Sequence, residues 1–320
     1  MNLNKSLLNN WDFVLGSSNV AGIFTPWYVT GLTDAEGSFQ ITIQDSKGKG
    51  LTGFKPFLEF KITQKNHSQG ILYELQKYFK CGRIIIDNRK TETMKFVVTN
   101  INDLLTKVIP LFDNYPLITS KCLNYIDFKS AVILMNNKKH FKLEGINELK
   151  SIKIKMNKAR SFKEKYEFCS KENSMLKPEW IQGFIDGEGT FQCEILKNKI
   201  NLNINVNFSL QIKQSNHDVI ILDLIRIFFE RGYLKPKYDI KNIITVINSV
   251  RKTTALWIRD TDVICAFINN YPLYTIKRLD YLDWSHLIEL KKKNMHYTVD
   301  GLKRMQNIKI NMNLHRFKQK

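Results

Sequence analysis

The feature that most constrains this chain is a series of sequence motifs that occurs twice in the same order. Four blocks recur with a nearly constant spacing: 27–39 as 179–191, 62–67 as 212–217, 114–121 as 270–277, and 144–157 as 300–313. Long-period repetition of this kind indicates that one structural unit is present in two copies. We therefore predict two homologous halves related by an approximate two-fold axis.

The repeated blocks also predict where the halves begin and end. With 320 residues, of which 43% are hydrophobic, the chain is long enough to build one large core or two modest ones. We predict five segments: an N-terminal extension at 1–24, a first repeat at 25–140, a basic helical linker at 141–177, a second repeat at 178–295, and a basic C-terminal tail at 296–320.

Each half shows the same order of predicted elements, α-β-β-α-β-β-α. Asn66 and Asn216 are the predicted N-caps of the second helix in each half, because their side chains can accept from the first free backbone N–H groups. The predicted helices lie at about 27–36 and 179–188, 67–80 and 217–230, and 102–112 and 260–269, with a last helix that begins near Pro116 and Pro272. The later strands of each half are predicted within 83–99 and 233–250.

Strict alternation of polar and apolar residues identifies strands with one exposed face. Every odd position of 201–212 is polar and every even position is apolar, and 38–44 alternates in the same way. This period of two is typical of half-buried antiparallel strands. The predicted fold class is α+β: two tandem αββαββα repeats with antiparallel, saddle-shaped sheets around a central pair of packed helices.

The charge of the chain limits the partners that it can bind. Lys and Arg number 49 against 30 Asp and Glu, a formal net charge of +19 that favours binding to a polyanion. No apolar run approaches the roughly 20 residues needed to span a bilayer, so we predict a nucleic-acid partner and no membrane. The five cysteines form no C-x-x-C pair, which favours a reducing compartment and oxygen ligands for any bound metal, as Mg²⁺ or Ca²⁺ prefers.

The polar strand faces carry the side chains that proteins use to contact duplex DNA. An antiparallel sheet often exposes one face to water without binding anything. Amides, however, pair with base edges, and Lys and Arg reach guanine or the phosphates. The candidate DNA contacts are Ser38, Gln40, Thr42, Gln44, Lys47, Lys61, Arg83, Arg89 and Lys95 in the first half, and Thr190, Gln192, Asn201, Asn203, Asn205, Asn207, Gln211, Lys235 and Lys237 in the second.

The opening motif of each half ends in an acidic residue that could take part in catalysis. Small residues four apart, at Gly31 and Ala35 and again at Gly183 and Gly187, lie on one helix face and would let the two helices pack backbone to backbone. Glu36 and Glu188 would then lie side by side at the helix ends, where the following glycines stop the helices. Two adjacent carboxylates repel unless a cation lies between them, and a bridged divalent metal suits phosphodiester hydrolysis. The alternative is that each acid is simply solvated at a helix end.

These motifs resemble the LAGLIDADG homing endonucleases, in particular the single-chain, two-repeat subgroup common in organellar introns. The nine-residue signature corresponds to Val29–Gly37 and Ile181–Gly189. By this resemblance Glu36 and Glu188 are metal ligands. The resemblance also implies that Gln64 and Gln214 order the metal and water network, and that Lys121 and Lys277 approach the scissile phosphates. His67 and His217 also recur, and we interpret them as structural.

The resemblance implies a function as well as a fold. It implies a monomer that binds a long asymmetric DNA duplex and cleaves both strands to leave short 3′ overhangs. Mg²⁺ would be the cofactor, Mn²⁺ would substitute, and Ca²⁺ would bind without supporting cleavage. The family further implies an organelle-encoded, mitochondrial protein. Two alternatives stay open: an intron maturase that binds its host intron RNA, and a DNA-binding protein that has lost cleavage.

Overall fold

A computed structural model describes residues 24–47, 51–171, 176–197, 204–237, 239–240, 243–313 and 316. The predicted DNA contacts Asn201 and Asn203, and all but the last residue of the extension at 1–24, lie outside these described residues. Among the described residues, no helix combines the length and apolar character that a membrane span requires.

The first half builds one antiparallel sheet of four strands and covers one face of it with helices. The strand order is β1-β2-β4-β3. Its elements are α1 (Pro26–Glu36), β1 (Gly37–Asp45), β2 (Phe54–Lys65), α2 (Gly70–Phe79), β3 (Arg83–Asn88), β4 (Thr93–Val98), α3 (Ile101–Asp103, continued by a π-helical stretch Leu104–Val108 and by Ile109–Asn114), α4 (Lys121–Asn136) and α5 (Leu143–Lys155).

The second half repeats this plan after a linking helix. The strand order is β5-β6-β8-β7, the same as in the first half. Its elements are α6 (Phe162–Lys171), α7 (Pro178–Glu188), β5 (Gly189–Lys197), β6 (Ile204–Ser215), α8 (Val219–Phe229), β7 (Tyr233–Lys235), α9 (Ile243–Ile247), β8 (Thr253–Ile258), α10 (Thr261–Asn270), α11 (Lys277–Lys292) and α12 (Val299–Ile310). The predicted α+β class with two repeated units is confirmed.

The register of the first hairpin is the same in both halves, so the predicted alternation becomes one buried and one accessible sheet face. Gly37 pairs with Ile62 and Gly189 with Ile212. Phe39 and Phe191 are almost fully buried under the helices. Each half has its own core: in the first, Phe39 stacks on Phe60 at 5.3 Å between ring centroids. In the second, Phe191 packs 5.4 Å from the ring of Trp284.

The tail helices α5 and α12 each end in the same clamp on their own half. The side-chain N–H of Asn157 donates to the carbonyl of Phe39 over 3.2 Å, and that of Asn313 donates to the carbonyl of Phe191 over 3.1 Å. Both asparagines have a positive φ of 58°, a conformation that asparagine tolerates better than most residues. Each tail is therefore hydrogen-bonded to the first strand of the sheet in its own half.

The two N-cap predictions and one strand prediction are wrong. Asn66 and Asn216 begin short 3-10 turns rather than capping α2 and α8, and the Asn216 side chain instead donates to the carbonyl of Arg251 over 2.7 Å. Of the two later strands predicted within 233–250, β7 lies there but ends at Lys235, before Pro236, which has no N–H for the ladder. A short helix occupies part of the predicted strand region, and β8 begins at Thr253.

Candidate active site

The two opening helices, α1 and α7, pack with their backbones in contact. A Cβ built on Gly31 would lie 2.0 Å from the carbonyl oxygen of Trp180, and one on Gly183 would lie 2.2 Å from that of Tyr28. A Cβ on Gly187 would lie 2.2 Å from the methyl group of Ala35. No larger residue fits at these three glycines without separating the helices, so the small-residue pattern sets how closely the two halves approach.

This close approach brings the two motif glutamates to one place. α1 ends at Glu36 and α7 at Glu188, and each following glycine begins a sheet strand in an extended rather than a left-handed conformation. A Cβ on Gly187 would lie 3.1 Å from Cγ of Glu36, so the Glu36 side chain passes beside the end of α7. Both carboxylates are half-buried and lie where the two sheets meet α1 and α7.

Burial and mutual repulsion both favour the protonated form of these glutamates. Burial raises the pKa of Glu36, and Lys277 and Lys121 oppose the effect. Burial and, second, repulsion from Glu36 raise the pKa of Glu188 to about 7 against the same two lysines. The carboxyl pair therefore needs positive charge in order to ionise fully near neutral pH.

Lys121 and Lys277 supply positive charge from the first residue of α4 and of α11. The Lys121 Nζ donates to the carbonyls of Thr33 at 3.0 Å and Ala35 at 2.9 Å. The Lys277 Nζ donates to the carbonyls of Ile185, at 3.4 Å, and Gly187. The two ammonium groups thus lie at the negative ends of the helix dipoles of α1 and α7. Burial lowers the pKa of both lysines, and the nearby carboxylates act in the opposite direction.

Each motif contains a second acid, Asp34 or Asp186, which was not among the predicted site residues. These aspartates position Lys121 and Lys277, because they bind the segments that lead into α4 and α11. Asp34 is buried and accepts from the backbone N–H of Ile118 at 2.9 Å, the N–H of Thr119 at 3.2 Å, and the Thr119 hydroxyl at 2.5 Å. It also accepts from the indole N–H of Trp180, on the opposite helix, at 2.8 Å. Burial raises the pKa of Asp34 to about 6 although these hydrogen bonds favour its charged form.

Asp186 repeats this arrangement in the second half. It accepts from the N–H of Tyr274 at 2.8 Å and from the N–H and hydroxyl of Thr275 at 3.0 and 2.6 Å. The hydroxyl of Tyr28, on α1, donates to it over 2.7 Å. Each aspartate therefore joins the helix pair to the segment that leads directly into α4 or α11. The segments that the aspartates hold are not helical, so α4 and α11 begin at Lys121 and Lys277, and the predicted starts near Pro116 and Pro272 are wrong. The signal was present in the sequence, since both the aspartates and the threonines recur.

The two predicted glutamines lie in unlike surroundings. Gln64 stands near the end of β2, and its buried side-chain nitrogen has no hydrogen-bond partner among the described residues. Gln214, in β6, accepts from the backbone N–H of Ser215 at 3.2 Å. Gln214 and Glu188 line the same cavity of about 700 Å³, which also includes Lys121.

A second cavity, of about 540 Å³, lies beside β5 and the start of α11 and includes Lys277. His67 lines this cavity and His217 the larger one. Burial lowers the pKa of both histidines, that of His67 to about 4. The imidazole of His67 lies 3.1 Å from the Ser68 hydroxyl, and His217 packs edge-on against the ring of Phe162 at 6.1 Å.

The candidate DNA contacts that the structure describes are all exposed or partly exposed. On β1 and β2, Ser38 is opposite Lys61 and Gln40 is opposite Glu59. On β5 and β6, Thr190 is opposite Gln211. The accessible candidates are Ser38, Gln40, Thr42, Gln44, Lys47, Lys61, Arg83, Arg89, Lys95, Thr190, Gln192, Asn205, Asn207, Gln211, Lys235 and Lys237.

The donor set at the helix ends suits a hard divalent cation that also binds substrate. Within the described ranges, no group of three or more His, Cys, Asp or Glu side chains is arranged to hold a metal ion. Mg²⁺ is often held by only one or two carboxylates and completes its shell with waters and substrate phosphates. Two half-buried glutamates whose ionisation is opposed by repulsion fit that mode of binding.

The comparison with protein families covers both halves. The family described as LAGLIDADG endonuclease matches residues 29–132 and 181–288. A protein named Probable intron-encoded endonuclease 3, from Neurospora crassa, is 32% identical over 87% of this chain and 52% of its own length. Probable intron-encoded endonuclease Cox1-I1b, from Schizosaccharomyces pombe, is 28% identical over 86% of this chain and 65% of its own length. The chain thus spans between half and two thirds of these relatives.

Solved structures share the whole two-half arrangement. I-LtrWI, described as a LAGLIDADG homing endonuclease bound to target DNA, is 28% identical and superposes with a TM-score of 0.78, covering 91% of this chain and 98% of its own. I-SmaMI bound to cleaved DNA is 26% identical with a TM-score of 0.79, covering 92% of this chain and 99% of its own. I-SmaMI has also been solved with an uncleaved target and calcium, at 24% identity and a TM-score of 0.78 over 91% and 99% of the two chains.

Proposed function

Since the chain belongs to the LAGLIDADG endonuclease family, we propose that it is a site-specific homing endonuclease that cleaves both strands of a long, asymmetric DNA duplex as a monomer. The observation that carries this proposal is the pair of half-buried glutamates, Glu36 and Glu188, held between two accessible polar sheet faces. The formal charge of +19 provides the attraction to DNA phosphates that such a surface needs.

The reaction is hydrolysis of a phosphodiester. A water oxygen bonds to phosphorus and the bond to the 3′ oxygen breaks, leaving 5′-phosphate and 3′-hydroxyl ends that form short 3′ overhangs. Glu36 and Glu188 would hold the divalent cation, Mg²⁺ or, in its place, Mn²⁺, whereas Ca²⁺ would bind without supporting cleavage. When bound, such a cation polarises the phosphate and lowers the pKa of the attacking water.

The remaining residues act through charge and orientation. Lys121 and Lys277 favour ionised glutamates and offset charge that builds up on the phosphate. The buried amide nitrogen of Gln64, which has no hydrogen-bond partner in the described part of the chain, can orient water or substrate. Because the halves contribute one glutamate each, neither half should cleave DNA alone.

A maturase function is the second candidate. Its support is that similar proteins are named as intron-encoded, and a maturase acts on the intron that encodes it. The same chain would then bind its host intron RNA and assist splicing.

A mitochondrial location is part of the proposal, since similar fungal proteins include one named as mitochondrial protein RF1, from Saccharomyces cerevisiae.

The test is a cleavage selection with the purified chain, a randomised duplex library and Mg²⁺, followed by sequencing of both cut ends. We expect one enriched target with a fixed 3′ overhang, and loss of cleavage when a chelator removes the metal. Ca²⁺ in place of Mg²⁺ should preserve binding to that target. Absence of any enriched target, together with promotion of splicing of an intron RNA, would favour the maturase.

A further inference from the structure

The first sheet carries a compact group of four charged side chains on its accessible face, here called the β2–β4 charge cluster: Glu59, Lys61, Asp87 and Lys95. The Lys95 Nζ donates to the Glu59 carboxylate over 3.0 Å and lies 3.6 Å from that of Asp87. The Lys61 Nζ lies 3.5 Å from Glu59 and 3.7 Å from Asp87. The four side chains are only 13–25% exposed, so they form one ordered group.

The second sheet lacks this group although its register is the same. Glu59 is paired with Gln40, and the residue in the same place on β6 is Ser209, paired with Gln192. Lys61 corresponds in the same way to Gln211, and Lys95 to Ala255. Two lysines and one acid in the first half thus stand where the second half has small or amide side chains.

Carboxylates on a surface that faces DNA need a specific reason, because they repel phosphates. A carboxylate accepts from N4 of cytosine in the major groove, and a lysine donates to O6 and N7 of guanine. Lys95 is the less exposed lysine and lies closer to Glu59 than Lys61 does, at 3.0 against 3.5 Å, so it holds the carboxylate in place. Lys61 is 21% exposed and lies at or beyond hydrogen-bond distance from both acids, so its protons can turn to a base.

We propose that the β2–β4 charge cluster reads one G·C base pair in the half-site bound by the first sheet, with Glu59 accepting from cytosine and Lys61 donating to guanine. Lys95 and Asp87 are positioning residues that hold these two. This inference rests on the proposed endonuclease function and specifies one position of its target. The second sheet, with Gln211 in place of Lys61, reads its corresponding position differently.

The experiment uses the full chain and the target recovered by cleavage selection, with every single base-pair substitution tested for cleavage and for binding in Ca²⁺. Wild type should prefer G·C by about tenfold or more at one position of the first half-site. Lys61→Gln should move that preference from guanine to adenine, because glutamine pairs with N6 and N7 of adenine. Glu59→Gln should reduce the preference at the same position and leave the others unchanged.

The matched control is Glu74→Gln, which removes the same charge from an ion pair with Lys77 (2.7 Å) on α2, the helix that covers the opposite face of the sheet. It should leave every base preference unchanged. If Glu59→Gln tightens binding to all sequences alike with a steeper salt dependence, the cluster only neutralises charge and the inference is wrong. If wild-type protein selects no target, the proposed function itself fails, which is a different result.

Discussion

The two halves of the molecule agree closely at the helix pair and differ on the sheets. Asp34, Glu36 and Lys121 have counterparts of the same residue type in Asp186, Glu188 and Lys277, with matching hydrogen bonds. On the accessible sheet faces, matching register positions hold charges in one half and amides or small residues in the other.

This difference separates two physical demands. Both halves contribute to one site, so a change in either glutamate or lysine alters the charge balance of the whole site. Each sheet, by contrast, would meet a different half of an asymmetric target, and its side chains can differ without affecting the partner sheet. The linking helix α6 adds a further asymmetry, since Cys169 donates to Asp218 of the second half over 3.0 Å.

The largest expected effect tests whether the two glutamates are equivalent. Glu36→Gln and Glu188→Gln should each reduce double-strand cleavage by on the order of 10³-fold or more, because either change removes a metal-binding charge. Cleavage is measured on the selected target with Mg²⁺, and binding in Ca²⁺ should persist in gel-shift assays. Cleavage at the wild-type rate by the double variant would contradict the assigned site.

The lysines should behave as a second matched pair with a smaller effect. Lys121→Met and Lys277→Met should each slow single-turnover cleavage by about 10²-fold while changing DNA affinity little, because each ammonium acts within the site rather than along the sheets. Rates are compared with a Lys77→Met control, whose side chain is exposed on α2, away from the sheet face. A loss confined to affinity would instead make Lys121 and Lys277 ordinary phosphate contacts.

Substitution of Asp218 should reduce stability more than substitution of the matching residue in the first half. It is buried and accepts from the Ser120 backbone N–H at 2.9 Å and from the Ser120 hydroxyl at 3.2 Å, whereas the matching residue of the first half is Ser68. Asp218→Asn should lower the free energy of unfolding in urea by about 1–3 kcal/mol, because amide protons would face these donors. Ser68→Ala should cost about 1 kcal/mol or less, and equal losses would remove the proposed difference.

The smallest expected effect is on the pH dependence of stability. His67 should contribute more than His217 to the loss of stability in acid. Burial holds the pKa of His67 at about 4, below its ordinary value of 6.5, so folding disfavours its protonation. The unfolded chain therefore binds more protons between pH 6.5 and 4, and stability falls as pH falls through that range. Burial also lowers the pKa of His217, but the negative charge of Asp218 partly opposes this lowering.

Urea unfolding between pH 7 and 4 checks this difference. His67→Asn should flatten the loss of stability on acidification more than His217→Asn does. The reverse order would show that Asp218 does not favour a charged imidazole.

Much of the fold could be predicted because it depends on patterns that are local in sequence. Alternation over 38–44 and 201–212 predicted strands where β1 and β6 lie, and the repeated glycine spacing identified the two helices that pack. The N-cap prediction failed because a contact distant in sequence determines the side-chain partner. Asn216 hydrogen-bonds to Arg251 and Thr254 instead of capping α8. Sequence spacing does not reveal such partners.

What the sequence by itself determined is the repetition, and with it the two-half fold and the paired glutamates, because these follow from periodicity and from residues that recur. Only the tertiary structure decided what surrounds those glutamates. It placed Lys121 and Lys277 against the ends of α1 and α7, and it assigned Asp34 and Asp186 to holding them there. Burial and hydrogen bonds between residues far apart in the chain decide these roles, and both exist only in the folded molecule.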